Sequence, residues 1–323
     1  MQALHDRHRT DHTPSSSGDF DGPAALIDRR SAELGLHTPA QRALESSLFI
    51  DEPLHQLALL SRQPRPELAF GEGKWAGYLD ARAFARQYGD GELTVPFMTE
   101  IHQRLSRFTM PESGGRFTHS RPVGIMSKPF TSEERTLIEA NPHLGYLPAG
   151  TVPMAPGQEA IEYRLSTPQA VKHELQALSD WYNNASKLPG TDPYRLAAEL
   201  QQRYISIHPW VDYNGSSSRI LMNWSLERDG LPASAPSDFD KDILSTTEKW
   251  TDMVRAGSDA FGERANRLAQ LGDTADPIEV FGLEREHEVY QARGKSISDF
   301  TPGANFDIEV CRNLVKQLQD SPH

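Results

Sequence analysis

The residues whose types and spacing could do chemistry lie in one segment, Ile207-His208-Pro209-Trp210-Val211-Asp212-Tyr213-Asn214-Gly215-Ser216-Ser217-Ser218-Arg219. It separates two stretches of helical periodicity. A histidine closes the first, a carboxylate follows at Asp212, and an Asn-Gly turn opens the second. The free backbone amides of a helix N-terminus, helped by the helix dipole, form a ready anion site. Serine hydroxyls and Arg219 can add donors to the same anion. Asp212 beside a phosphate is a natural Mg²⁺ ligand. A neutral imidazole at His208 can take a proton from an incoming hydroxyl near pH 7. Read without further knowledge, the loop is a phosphate-and-base constellation. It is equally compatible with a helix-end histidine satisfied by backbone and followed by an ordinary turn.

The elements that must hold this loop are helical. Asp192-Pro193 starts a helix whose Leu196, Leu200, Tyr204 and Ile207 share a face. It ends at His208, because a residue before proline is pushed out of the α region. Ile220, Leu221 and Trp224 mark the helix after the loop, closed by Gly230 and Pro232. Upstream, Thr94-Val95-Pro96 caps a helix with Phe97, Ile101, Leu105 and Phe108 in one stripe, and Thr167-Pro168 caps another with Val171, Leu175, Leu178 and Tyr182. Arg121 to Ile125 reads as extended, Asn141 to Gln158 as a long Pro/Gly-rich loop, and Ile161 to Leu165 as a short alternating strand. Asp240 to Leu271 and Asp307 to Leu318 read as further helices. Residues 1–22 read as a polar mobile tail, with a short helix possible at Pro23 to Leu34. His5, His8 and His12 recur there without a carboxylate or cysteine to complete a metal shell.

Composition narrows the function. The chain has 323 residues and a formal net charge of -12, against the net basic surface that general nucleic-acid binding needs. Its single cysteine, Cys311, allows no intrachain disulfide, which suits a reducing compartment. No apolar run approaches a membrane span, and no charged-then-apolar signal peptide opens the chain. The expectation is a cytoplasmic protein, or a bacterial effector delivered into a host cell.

The loop resembles the motif of the Fic (filamentation induced by cAMP) family, His-Pro-Phe-x-Asp/Glu-Gly-Asn-Gly-Arg-x-x-Arg. His208, Pro209, Asp212, Asn214, Gly215 and Arg219 match, and Trp210 replaces phenylalanine with another aromatic. Weaker similarity runs from Gly115-Arg116-Phe117 through Val123-Gly124-Ile125, Leu178 to Asn184, and Arg219 to Pro232. The resemblance implies a mainly α, Fic-like helical fold with a short β-hairpin flap. It implies transfer of a nucleoside monophosphate, AMP or another, or a related phosphate-containing group, to a Ser, Thr or Tyr hydroxyl of a target protein. His208 would deprotonate that hydroxyl. Asp212 would hold Mg²⁺ on the phosphates of a nucleotide donor such as ATP. Asn214, Gly215, Ser216, Ser217 and Arg219 would contact the donor. Glu162, Tyr163, Arg164 and Leu165 would form the flap and hold a target segment by backbone pairing. The organisation that follows is a tail at 1–45, a helical extension at 46–93, a Fic-like core at 94–235 and a C-terminal helical extension at 236–323.

Two positions depart from the family pattern. Tyr213 stands for the first motif glycine, where it would crowd or cover the pocket, and Ser216 stands for the first arginine. A lost charge-assisted phosphate contact is worth roughly 1.5–3 kcal/mol, or one to two powers of ten in rate. Lys128 and Arg164 are the cations that could compensate. Relatives are often restrained by Ser/Thr-x-x-x-Glu, whose nearest text here is Ser17 to Gly22, with Asp21 for glutamate. The alternative to a transferase is a degenerate Fic-fold module that binds a partner through the old pocket or flap. A serine-hydrolase reading of Ser216, Ser217 or Ser218 with His208 and Asp212 lacks the strand–Gly-x-Ser-x-Gly–helix context.

Overall fold

The computed structural model describes residues 22–60, 65–68, 71–118, 125–151 and 156–283. The histidines of the N-terminal tail, Ser17 to Asp21, Arg121 to Gly124 and Asp307 to Leu318 lie outside them. Helices α1 (Pro23–Glu33), α2 (Pro39–Ser46), α3 (Glu52–Leu60), α4 (Glu72–Tyr88) and α5 (Val95–Ser106) come first. Strands β1 (Ile125–Lys128), β2 (Leu144–Tyr146) and β3 (Glu159–Tyr163) follow, with α6 (Ser132–Ala140) between the first two. Then come α7 (Pro168–Ala185), α8 (Pro193–Ile207), α9 (Asn214–Arg228), α10 (Thr247–Leu271) and α11 (Pro277–Phe281).

The local signals explain these boundaries. Thr94, Thr167 and Asp192 each accept a hydrogen bond from the first turn of their helix, and proline occupies N1 or N2 in all three. The stripes on α7 and α8 are buried as their spacing requires, and so are Phe97, Ile101 and Leu105 on α5, whereas Phe108 lies beyond the end of α5 and is partly buried. Helix α9 differs, because Ile220 to Leu226 are all buried, so it has no solvent face along those two turns. It runs through the centre against α4, α5 and α8. Gly230, at φ 75°, ends it in a Schellman turn, with Leu231 N–H on the Leu226 carbonyl at 3.0 Å. Burying side chains such as Leu221 and Trp224 contributes roughly 1.5–3 kcal/mol each, so this helix anchors the loop before it.

The mainly α fold carries its flap in a three-stranded antiparallel sheet of order β1-β3-β2. Three expectations are corrected. The loop read at Asn141 to Gln158 contains β2, whose pairing with β3 outweighs its turn-rich flanks. The helix read from Asp240 begins at Thr247, where Thr246 caps it, after a 3₁₀ turn at Phe239–Lys241. Residues 22–45 are packed rather than tail-like, since Leu26, Ile27, Ala40 and Ala43 are buried. Arg82 fixes this N-terminal part to α9. Fully buried, it donates to Glu45 at 2.9 Å and to Glu227 at 2.5 and 2.6 Å. Removing one partner of such a pair costs about 3–5 kcal/mol.

Candidate active site

The motif loop is held from below by an aromatic stack. Trp210, fully buried, lies between His102, at 4.4 Å between ring centroids, and Phe117, at 5.0 Å. Its indole N–H donates to the Tyr204 hydroxyl at 2.5 Å, a partner phenylalanine would leave unused. Burial lowers the His102 pKa to about 4, so the ring is neutral, and its Nδ1 accepts from the Gly115 N–H at 2.9 Å. Thr118 N–H bonds the Pro209 carbonyl at 3.0 Å. Asn214 closes the turn twice, accepting from Trp210 N–H at 2.9 Å and donating to the Trp210 carbonyl at 2.8 Å. Its side chain is therefore committed to the loop, and only its main-chain amide remains for an anion.

Both ends of the loop are left-handed. His208 (φ 49°, ψ 58°) ends α8 and Tyr213 (φ 60°, ψ 15°) caps α9, the two positive-φ non-glycine residues among the described residues. The residue before Pro209 leaves the right-handed helical region as expected, but turns left-handed rather than extended. That turn reverses the chain so that α9 can pack along α8. Tyr213 is buried and lines the cavity, and its hydroxyl meets Thr109 Oγ1 at 2.5 Å.

His208, Asp212, Asn214, Gly215, Ser216 and Arg219 line one cavity of about 310 Å³ with Phe49, Asp51 and Lys74. The i→i−4 ladder of α9 starts at Ser217 N–H on the Tyr213 carbonyl. The amides of Asn214, Gly215 and Ser216 precede that bond, so the helix itself leaves them without a partner, and all three residues line the cavity. At Gly215 an added Cβ would stand 3.5 Å from Arg219 Nη2, an ordinary contact, so the space there would also admit a small side chain. Asp212 is exposed and lines the cavity, with Oδ1 accepting from Tyr213 N–H at 2.7 Å. Among the described residues no three acidic, histidine or cysteine side chains form a metal cluster. One carboxylate completed by phosphate oxygens and water is a donor set that suits Mg²⁺.

Ser217 is not part of the lining. It is fully buried, beneath the cavity, with its hydroxyl toward Tyr204. The flap residues lie beside the cavity. Tyr163 stacks on the His208 ring at 3.6 Å. Glu162 has β1 on one side, opposite Ile125, and β2 on the other, opposite Gly145. The backbone edge expected to receive a target is thus taken at that residue. Arg164 is exposed and lies against Gly145, Leu165 follows the strand, and Lys128 is bonded to Glu134 at 2.9 Å. Neither Lys128 nor Arg164 reaches the lining; the second cation there is Lys74.

Sequence reasoning missed Asp51. Arg219 Nη1 donates to the Phe49 carbonyl at 2.8 Å and lies 3.5 Å from Asp51 Oδ1, while its guanidinium stacks on Phe239 at 4.0 Å. The available signal was Ser47-Leu48-Phe49-Ile50-Asp51, the serine-to-acid spacing sought at Ser17.

The model of the Fic/DOC family matches residues 92–226. A uridine 5'-monophosphate transferase of Xanthomonas campestris pv. campestris is 34% identical over 25% of this chain, and the match spans 16% of that protein. A protein adenylyltransferase Fic of Drosophila willistoni is 27% identical over 44% of this chain and 21% of its own length. The chain thus spans about a fifth or less of these two relatives. A Fic family structure from Desulfovibrio desulfuricans aligns over 84% of this chain and 86% of its own at 14% identity, with a TM-score of 0.41. A Fido domain-containing protein of Dictyostelium discoideum is 36% identical over 125 residues, 39% of this chain and 78% of that protein. On that sequence match and the motif between α8 and α9, the chain belongs to the Fic/DOC family.

Proposed function

We propose that the protein transfers a nucleoside monophosphate, or a related phosphate-containing group, from a nucleotide donor to a Ser, Thr or Tyr hydroxyl of a target protein. One observation carries the reading: His208, Asp212, the α9 N-terminus and Arg219 face a single cavity. Relatives named as protein adenylyltransferases and as a uridine 5'-monophosphate transferase support this class of reaction.

In the reaction, the target hydroxyl oxygen bonds to the donor α-phosphorus, its proton passes to the His208 imidazole, and the bond to the departing phosphates breaks. Such transfer depends on positioning and on stabilising charge as it develops. The amides of Asn214, Gly215 and Ser216 and the Arg219 guanidinium supply that stabilisation. Tyr163 orients the imidazole by stacking on it. Asp212 would hold Mg²⁺, which neutralises phosphate charge when bound. The target segment approaches across the β1-β3-β2 sheet.

The test is donor turnover with Mg²⁺ and a proteome of possible targets, comparing wild type with His208→Ala. Labelled protein is expected from wild type and none from the folded variant. Label transferred equally by both would overturn the proposal. The Ser216 replacement and the occupied Arg219 favour one second reading, a partner-binding module. That version expects no labelled product from any donor and partner capture unaffected by His208→Ala.

A further inference from the structure

Lys74 lines the same cavity as His208, Asp212, Ser216 and Arg219. It comes from the first turn of α4, outside the residues matched by the family model. Its side chain is half-buried, and among the described residues no carboxylate or carbonyl lies within hydrogen-bond or ion-pair reach of it. Other cations around the site are paired: Arg219 with Asp51, Lys128 with Glu134, Arg264 with Glu52. A half-buried ammonium that lines a cavity and pairs with no carboxylate among the described residues fits an anionic ligand.

The position of Lys74 is rigid. The next residue, Trp75, is fully buried and stacks on Tyr78 at 5.3 Å, and Phe49 stacks on Tyr78 at 4.7 Å. The Phe49 carbonyl is the one that holds Arg219. Lys74 and Arg219 are thus set by one aromatic cluster. Leaving His208 aside, the lining carries Asp51 and Asp212 against Lys74 and Arg219. Without Lys74 the cavity would be net negative and would repel a polyphosphate.

We infer that Lys74 binds the donor's phosphates and supplies the charge that the motif lacks at Ser216, so that the donor is a nucleotide carrying two or more phosphates. The inference rests on the proposed transferase reading. A lysine is a flexible point charge, whereas the arginine fork it replaces fixes two oxygens at once. The exchange therefore keeps phosphate affinity while relaxing which phosphate is gripped.

The test is calorimetric titration of ATP, GTP, CTP and UTP with Mg²⁺, and of adenosine alone, into wild type and Lys74→Ala, each also carrying Asp51→Ala. Circular dichroism verifies folding. Lys74→Ala is expected to weaken the bound triphosphate roughly tenfold or more, to flatten its salt dependence, and to leave adenosine unchanged. Lys74→Arg retains binding, and adding Ser216→Arg to Lys74→Ala restores it. Triphosphate affinity of Lys74→Ala within about twofold of wild type, while Arg219→Ala loses binding, overturns the inference and leaves the transferase reading standing. No triphosphate binding by folded wild type or Asp51→Ala overturns both.

Discussion

Asp51 Oδ1 stands 3.5 Å from Arg219 Nη1, and both residues line the cavity that His208 also lines. The carboxylate comes from the turn between α2 and α3 and the guanidinium from the motif helix α9. The pair therefore connects the N-terminal helices to the end of the site proposed to hold phosphate. A phosphate arriving at Arg219 must compete with Asp51 for the same nitrogen.

Replacing Asp51 by alanine should therefore improve donor binding. The pair is partly exposed, with side-chain exposures of 15% and 26%, so its own strength is modest, and the expected gain is about two- to fivefold. Titration with ATP and Mg²⁺ measures it. Unchanged binding would show that Asp51 does not oppose the donor, and weaker binding that it helps hold it.

Tyr213→Gly should destabilise the protein even though it restores the family's own residue. Glycine would relieve a left-handed backbone at φ 60°, worth about 1–2 kcal/mol. Losing a buried aromatic ring costs about 3–5 kcal/mol, and the Thr109 hydrogen bond goes with it. Loss of the ring outweighs relief of the backbone, giving a net loss of roughly 1–4 kcal/mol in chemical denaturation. A gain in stability would mean that the ring is poorly packed.

Asp242 gives the stability a pH dependence of definite sign. Burial first, then the Asp240 charge, raises its pKa to about 8. The native state therefore binds a proton that the unfolded chain, with an ordinary carboxyl near 4, has released. The contribution is fully present below about pH 4 and is lost as pH rises through about 8. Asp242→Asn should match wild type in melting temperature at low pH and exceed it at pH 8. His102 works the other way. Its lowered pKa, about 4, favours the native state above the unfolded value near 6.5 and withdraws that support as pH falls. A wild-type melting temperature that equals that of Asp242→Asn at both ends would contradict the assignment.

Much of the site was legible in the sequence because it is local. His208, Asp212, Gly215 and Arg219 lie within one loop and one helix turn, so spacing alone brings them together. The stripes on α5, α7 and α8 were legible for the same reason, since a helix repeats its buried face every three to four residues. Asp51 and Lys74 were not, because only tertiary packing, with α4 against α9 and the Phe49–Asp51 turn on Arg219, carries them across more than a hundred residues to the motif. β2 was hidden in a stretch rich in proline and glycine, where pairing with β3 rather than propensity decides the conformation. The commitment of Asn214 to Trp210 and the burial of Ser217 depend on which way each side chain turns at the start of α9. Residue type does not reveal that.

The central claim is that His208 drives transfer of the donor's α-phosphoryl group with its nucleoside. The most direct measurement supplies Asp51→Ala protein and Mg²⁺ with donor labelled at the α-phosphate or, separately, at the γ-phosphate, and follows protein-bound label. Label is expected on target protein from the α-labelled donor alone, and from neither donor once His208→Ala is introduced. Transfer of the γ-label, or α-label that persists without His208, would contradict the claim.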